Sequence, residues 1–260
     1  METLTASSSS SGLILYQDTD IIVVNKPAGL SVHKKNPNDP QETLADILTQ
    51  QFPELRGVGE NTLRPGIVHR LDKYTSGVMI VARNQTTYEW LKKQFQDHRV
   101  EKEYTALVAG NPKKDNGIID SPIASLGLKK TTRNIAHGKA RKWRDARTEW
   151  HVLKRFEGYT LLRVVPRTGR THQIRVHLAS IGLPLACDNM YGGRRVSCPI
   201  HAPHFLLHAT HINFSLPERQ DEKHAESTHG HKGKQGSRME FAADIPPYFT
   251  ETLSRLSLAT

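Results

Sequence analysis

The chain has 260 residues, enough to bury a sizeable core in one large domain or two small ones, which excludes a peptide hormone or a disulfide-stapled mini-protein. Hydrophobic residues make up 37% and aromatics 7% of it, lower than in an average soluble domain, so some chain is left outside the core. Lys and Arg number 36 against 26 acids, a formal charge of +10, which makes a polyanion, and nucleic acid first, the partner to consider.

Residues 1–12 carry Glu2 and a run of serines with no basic residue and no apolar stretch, so they read as a disordered tail and neither a signal nor a transit peptide. The best apolar run is Ile21 to Val24, far short of a membrane span, and a cytoplasmic location is expected. Leu13 to Tyr16 and Ile21 to Val24 flank the turn-forming stretch Gln17 to Asp20 and predict a hairpin or a bent strand pair. Pro40 as a first-turn proline, with Leu44, Ile47 and Leu48 at helical spacing, predicts a helix to about Phe52, and 53–66 reads as loop. Gly77 to Ala82 is continuously apolar and predicts a strand, followed by a helix from Thr86 to Asp97 with Tyr88, Leu91 and Phe95 on one face.

Glu101 to Ala109 alternates as a strand, and Thr148 to Phe156 with Tyr159 to Val165 predicts a hairpin about Glu157-Gly158. Thr171 to Ile181 reads as a helix stopped by Gly182, with Pro184 beyond. A strand near Phe205 to Phe214 and a terminal helix from Pro247 complete the pattern. The class is α+β, a mixed α/β chain without regular βαβ alternation. Residues 125–147 hold seven of the ten net positive charges, including Lys129, Lys130 and Arg141, and are expected to contact phosphate. Residues 217–239 are hydrophilic with nearly balanced charge and read as a mobile surface insertion. Cys187 and Cys198 match no disulfide framework or zinc pattern and are expected to be reduced.

Two stretches carry the chemistry. In Gly66 to Gly77, apolar strands flank a polar, glycine-bounded loop that holds His69, Arg70, Asp72 and Lys73, and loops on rigid strands host active sites. In Pro166 to His177 a basic loop with Arg170, His172 and Gln173 opens a helix, where backbone amides and the positive dipole end attract anions. Arg175 lies three residues beyond His172 on one predicted helical face, within reach of a carboxylate in a facing loop.

His69-Arg70-Leu71-Asp72-Lys73 with Thr75-Ser76-Gly77 and Ala82-Arg83 closely resembles the catalytic motif of the RluA family of RNA pseudouridine synthases. Val24 to Gly29 with Val32-His33, Lys102-Glu103-Tyr104, Gly169 to Leu178 and Leu207-His208-Ala209 agree with the same family in order and spacing. The resemblance implies a single catalytic domain over 13–260, with a central, largely antiparallel sheet, flanking helices and an active-site cleft. It implies isomerisation of uridine in structured RNA, ribosomal or transfer, with no metal or cofactor; a monomer is the simplest expectation. Asp72 would be the nucleophile, attacking the sugar or promoting elimination through a glycal, and Arg175 would keep it charged and oriented. Tyr104 would stack on the uracil and take the C5 proton, and Leu207 would line the pocket. Arg70 would fill the stack vacated by the flipped base, with His69, Lys73, Arg170, His172 and Gln173 at the RNA. The segment before Leu13 is too short for the S4 domain many relatives carry, so RNA grip is expected from the core and its basic insertion.

Two other readings compete. A metal-dependent nuclease would account for 14 histidines, but His172 and His177 sit roughly 140° apart on a helix. The 3-4-3 spacing of His201, His204, His208 and His211 would align only on a helix that Pro203 opposes. A non-catalytic RNA-binding or ribosome-assembly protein accounts for the charge but leaves Asp72 and Arg175 without a role.

Overall fold

The turn at Asp18 closes the first hairpin, its carboxylate accepting from the amides of Asp20 and Ile21, so β1 (Ile14–Gln17) lies antiparallel to β2 (Ile21–Lys26). The structure, a computed structural model, describes residues 12–125, 133–135, 143–193, 198–199, 202–217 and 237–258. Helix α1 (Leu44–Gln51) starts later than Pro40 suggests, because Thr43 and Asp46 form a reciprocal capping box that fixes the first turn there. A short 3-10 turn at Pro53–Leu55 interrupts the expected loop.

Strand β3 (Ser76–Ala82) is buried along its whole length, and α2 (Gln85–Gln96) follows it, capped by the Asn84 side chain. Next come β4 (Glu101–Ala109), β5 (Asn116–Asp120), β6 (Ile123–Ser125), β7 (Arg133–Ile135) and β8 (Trp143–Arg144). Then β9 (Arg147–Phe156) and β10 (Tyr159–Pro166) form the predicted hairpin ahead of α3 (Gln173–Ser180). The chain ends in β11 (Leu207–Ser215), β12 (Arg238–Ala242) and α4 (Pro247–Leu258). The predicted mixed class and largely antiparallel sheet are therefore observed.

The main sheet runs β1-β2-β3-β11-β4-β10-β9-β5, with β12 also on β11. Among the described strands of this sheet only the β3–β11 pairing is parallel, and it joins two cores. One gathers β2, β3, α1 and α2; the other gathers β4, β10 and α3. Gly77 makes the junction possible: its φ is +115°, and a Cβ there would lie 2.2 Å from the Ala209 carbonyl oxygen. Tyr104 packs against both cores, so the seam between them carries the cleft.

Part of the expected basic loop is ordered instead. Within 125–147, β7 and β8 pair on β6 as a small antiparallel sheet, because Ile123 supplies an apolar residue that packs against Ala146 and Val176. Lys129, Lys130 and Arg141 lie outside the described residues, as does most of the 217–239 insertion; its last two positions, Arg238 and Met239, already belong to β12. His208 and His211 sit on strand β11, not on a helix. No helix among the described residues is long and apolar enough to cross a membrane.

The expectation of reduced cysteines is overturned. Cys187, at φ +65°, turns the chain so that its Cα lies 4.6 Å from that of Cys198, and the two close a disulfide. Spacing alone cannot report such a closure, since it depends on how the intervening chain folds back. Reduction is expected to cost about 3 kcal/mol from loop entropy, seen as a lower melting temperature in dithiothreitol. Equal melting with and without reductant would show that the loop holds without the bond.

Candidate active site

The cleft at the seam has a volume of about 850 Å³ and is lined by both chemical stretches. Asp72 reaches it from the loop before β3, whose backbone is pinned from below by Lys26. That lysine is fully buried and donates to the carbonyls of Pro27, Leu30 and Lys73. Burial pulls its ammonium down to about 7, with the Asp72 charge opposing that shift.

From the other wall, Arg175 Nη1 stands 3.4 Å from Asp72 Oδ2. Its stronger partner lies outside the sequence motifs: Nε and Nη2 donate to Asp188 at 2.7 and 2.9 Å. Tyr191 and Phe205 offer their ring faces to the same guanidinium at 5.0 and 4.4 Å. Burial disfavours the Arg175 charge, yet Asp188 and then Asp72 outweigh it and hold the group above its ordinary value. One signal for Asp188 was present, since it is the only acid between Glu157 and Glu218.

His172 is not the helical neighbour of Arg175 that the spacing suggested. It caps α3 in the left-handed conformation, φ +57°, a strained position for a non-glycine residue. From there Nδ1 meets the Tyr191 hydroxyl at 2.8 Å and Nε2 lies 3.7 Å from Asp72 Oδ1. His177, in the body of the helix, is buried against Thr148 and the Ser121 carbonyl, well apart from His172.

Gln173 lines the cleft with its side chain hydrogen-bonded within the protein. It is buried, its carbonyl oxygen accepts from the Thr168 hydroxyl and the Arg170 amide, and its amide nitrogen donates to Arg147 and Thr148. It ties the loop to β9. His69 is likewise committed: its ring stacks on Phe95 at 4.6 Å, and Nε2 accepts from the Ile80 amide. Desolvation, helped by the Lys102 charge, pushes it down to about 3.

Arg70 is exposed and donates to His33 Nε2 at 3.2 Å, Lys73 donates to Gln41, and Arg170 donates to the Asp145 carbonyl. Tyr104 on β4 and Leu207 on β11 form the apolar wall beside Asp72. Burial, then the Asp72 charge, raises the Tyr104 phenol above its usual range. Thr75 also lines the cleft, and its hydroxyl oxygen is buried with no hydrogen-bond partner among the described residues.

Four desolvated histidines carry a pH dependence. Desolvation lowers His69 from 6.5 to about 3, and His33, His177 and His208 shift the same way. The unfolded chain takes up these protons near 6.5, whereas folded His69 does so only near 3. Stability is thus full above 6.5 and lost as pH falls toward 3. His69→Gln is expected to flatten melting temperature against pH in that window, and an unaltered slope would contradict the assignment.

Residues 20–180 match the family model described as RNA pseudouridylate synthase. The chain belongs to the RNA pseudouridylate synthase family. It is 44% identical over 79% of its length to an uncharacterized RNA pseudouridine synthase of Aquifex aeolicus, covering 66% of that protein. Against the Bacillus subtilis RNA pseudouridine synthase YlyB it is 38% identical over 94%, covering 72%. Against ribosomal large subunit pseudouridine synthase D of Nitrosomonas europaea it is 40% identical over 78%, covering 58%. The chain thus spans about two thirds of the length of these curated relatives. Among solved structures, human RNA pseudouridylate synthase domain containing 4 matches with a TM-score of 0.67 and 26% identity, over 94% of this chain and 92% of that one.

Proposed function

We propose that this synthase-family chain isomerises uridine to pseudouridine in structured RNA, with large-subunit ribosomal RNA as substrate. The arrangement Asp72–Arg175–Asp188, opening into a cleft beside Tyr104 and Leu207, carries the reading. The names of relatives such as the Nitrosomonas europaea enzyme support the choice of RNA. A cytoplasmic monomer suits this reading.

The target nucleotide leaves its stack, at a cost of a few kcal/mol that phosphate contacts and the pocket offset. Arg70, at the mouth, leaves His33 and fills the gap with its planar guanidinium. Lys73, Arg170 and His172 face the RNA from the two walls of the cleft, and the basic insertion with Lys129, Lys130 and Arg141 adds phosphate contacts.

The Asp72 carboxylate then acts at the sugar, by attack on C1′ or by elimination to a glycal. In both routes the N1–C1′ bond breaks with its electron pair passing to the uracil. The base turns in the cleft and C5 bonds to C1′ as the Asp72–C1′ bond breaks, or as Asp72 returns the C2′ proton to the glycal; the C5 proton departs and N1 gains one, so that substrate and product are isomers. Tyr104 supplies the stacking face that retains the detached base. Its hydroxyl is also placed to take the C5 proton, with burial and the Asp72 charge working against its phenolate. Incubating large-subunit ribosomal RNA with the chain and mapping pseudouridines tests the reading. New pseudouridine at defined uridines is expected, and its absence there with appearance in transfer RNA would move the substrate.

A further inference from the structure

Strand β4 sorts its charges by face. Glu101 pairs with Arg238 at 3.1 Å and Glu103 with Arg163 at 2.6 Å, while Lys102 and Tyr104 line the cleft. Lys102 therefore lies two residues from the stacking tyrosine, about 7 Å along the strand. That separation resembles the distance of a base from the phosphate of its own or the next sugar.

Every other half-buried or buried Lys or Arg of the cleft has a protein partner. Lys92 pairs with Glu60, Arg170 donates to a carbonyl, and Arg175 holds Asp188. Lys102, among the described residues, has neither an acid nor a carbonyl; its ammonium lies over the Phe95 ring, 5.8 Å from the centroid, and near enough to His69 for its charge to lower that ring's pKa. A Cβ built on Gly169 would come within 3.9 Å of the Lys102 Nζ and of nothing else, so the basic loop leaves space beside the charge. Taking a cation out of water without a counter-charge is unfavourable, and desolvation accordingly lowers this one to about 8. Such a group makes sense when the anion arrives with the ligand.

We propose that Lys102 is the phosphate anchor of the target nucleotide, gripping the RNA backbone beside the uracil that rests on Tyr104. This rests on the proposed RNA activity and adds a substrate contact to it. The ammonium is a compact point charge suited to one phosphate oxygen. With Gly169 opposite, the loop ahead of α3 approaches the same phosphate without steric hindrance.

The test is made in an Asp72→Asn background, so that binding is read without turnover. The probe is protein-free large-subunit ribosomal RNA, titrated between 50 and 200 mM salt. Lys102→Met is expected to raise the dissociation constant about tenfold and to lower the slope of log affinity against log salt by about one. Lys102→Arg, which keeps the charge, is expected to recover most of both. An unchanged slope in Lys102→Met overturns the proposal. So does equal loss in the Met and Arg variants accompanied by a lower melting temperature, which would mark a packing role. Failure of the wild-type chain to form pseudouridine would count against the activity instead, and the binding arms still decide Lys102.

Discussion

Asp72→Asn is expected to lower pseudouridine formation by about 10⁴-fold or more, the scale on which enzymes lose activity when a nucleophile is removed. The amide matches the carboxylate in shape but lacks the negative charge that either route requires at the sugar. The fold should tolerate the change. Asp72 is half-buried and its contact with Arg175 is long, 3.4 Å, so Arg175 keeps its two shorter bonds to Asp188. Melting temperature should stay near the wild-type value, and RNA affinity should change little, because the phosphate contacts lie elsewhere in the cleft. Single-turnover assays with mass-spectrometric detection of pseudouridine would read the rate. A variant that modifies RNA as fast as the unaltered chain removes Asp72 from the chemistry, and with it the non-catalytic reading would gain ground.

Asp188→Ala is expected to harm both stability and rate. Asp188 is almost fully buried, accepts twice from Arg175, and also receives the amides of Met190 and Tyr191. Removing it strands a buried guanidinium, at about 3–5 kcal/mol. It also frees Arg175 to move, and a displacement near 1 Å at a catalytic group costs on the order of 100-fold in rate. Asp188→Asn separates the two effects, since it retains one acceptor and most of the volume. It should fold better than the Ala variant and still lose rate, with kcat falling more than KM rises. Full activity in Asp188→Asn, or unaltered melting in Asp188→Ala, would mean that Tyr191 and Phe205 hold Arg175 without the carboxylate.

Local regularities in the chain located most elements because each rests on neighbours a few residues away. The spacing of Tyr88, Leu91 and Phe95 gives α2, and the turn residues Glu157-Gly158 give the β9–β10 hairpin. Sequence and structure part where one local signal outweighs another: Pro40 suggests a helix start that the Thr43–Asp46 capping box places later. His172 shared a helical spacing with Arg175, but it leaves the helix in a left-handed turn. The motif around Asp72 was legible because several chemically demanding residues occur together between two glycines.

Sequence alone determined the α+β class, the family, the loop that carries Asp72 and the wall that carries Arg175, since those depend on short-range pattern and on a rare cluster of residue types. Tertiary structure decided what lies across the cleft: that Asp188 and not Asp72 is the principal anchor of Arg175, that His69 and Gln173 are hydrogen-bonded within the protein, that Cys187 meets Cys198, and that Lys102 has no counter-charge among the described residues. The physical reason is that these partners, 11 to 26 positions apart, meet only through the way the intervening chain folds back, which no local periodicity records. A buried charge is compensated by whichever partner the sheet order brings within about 3 Å, and the β3–β11 junction brings together residues more than one hundred positions apart.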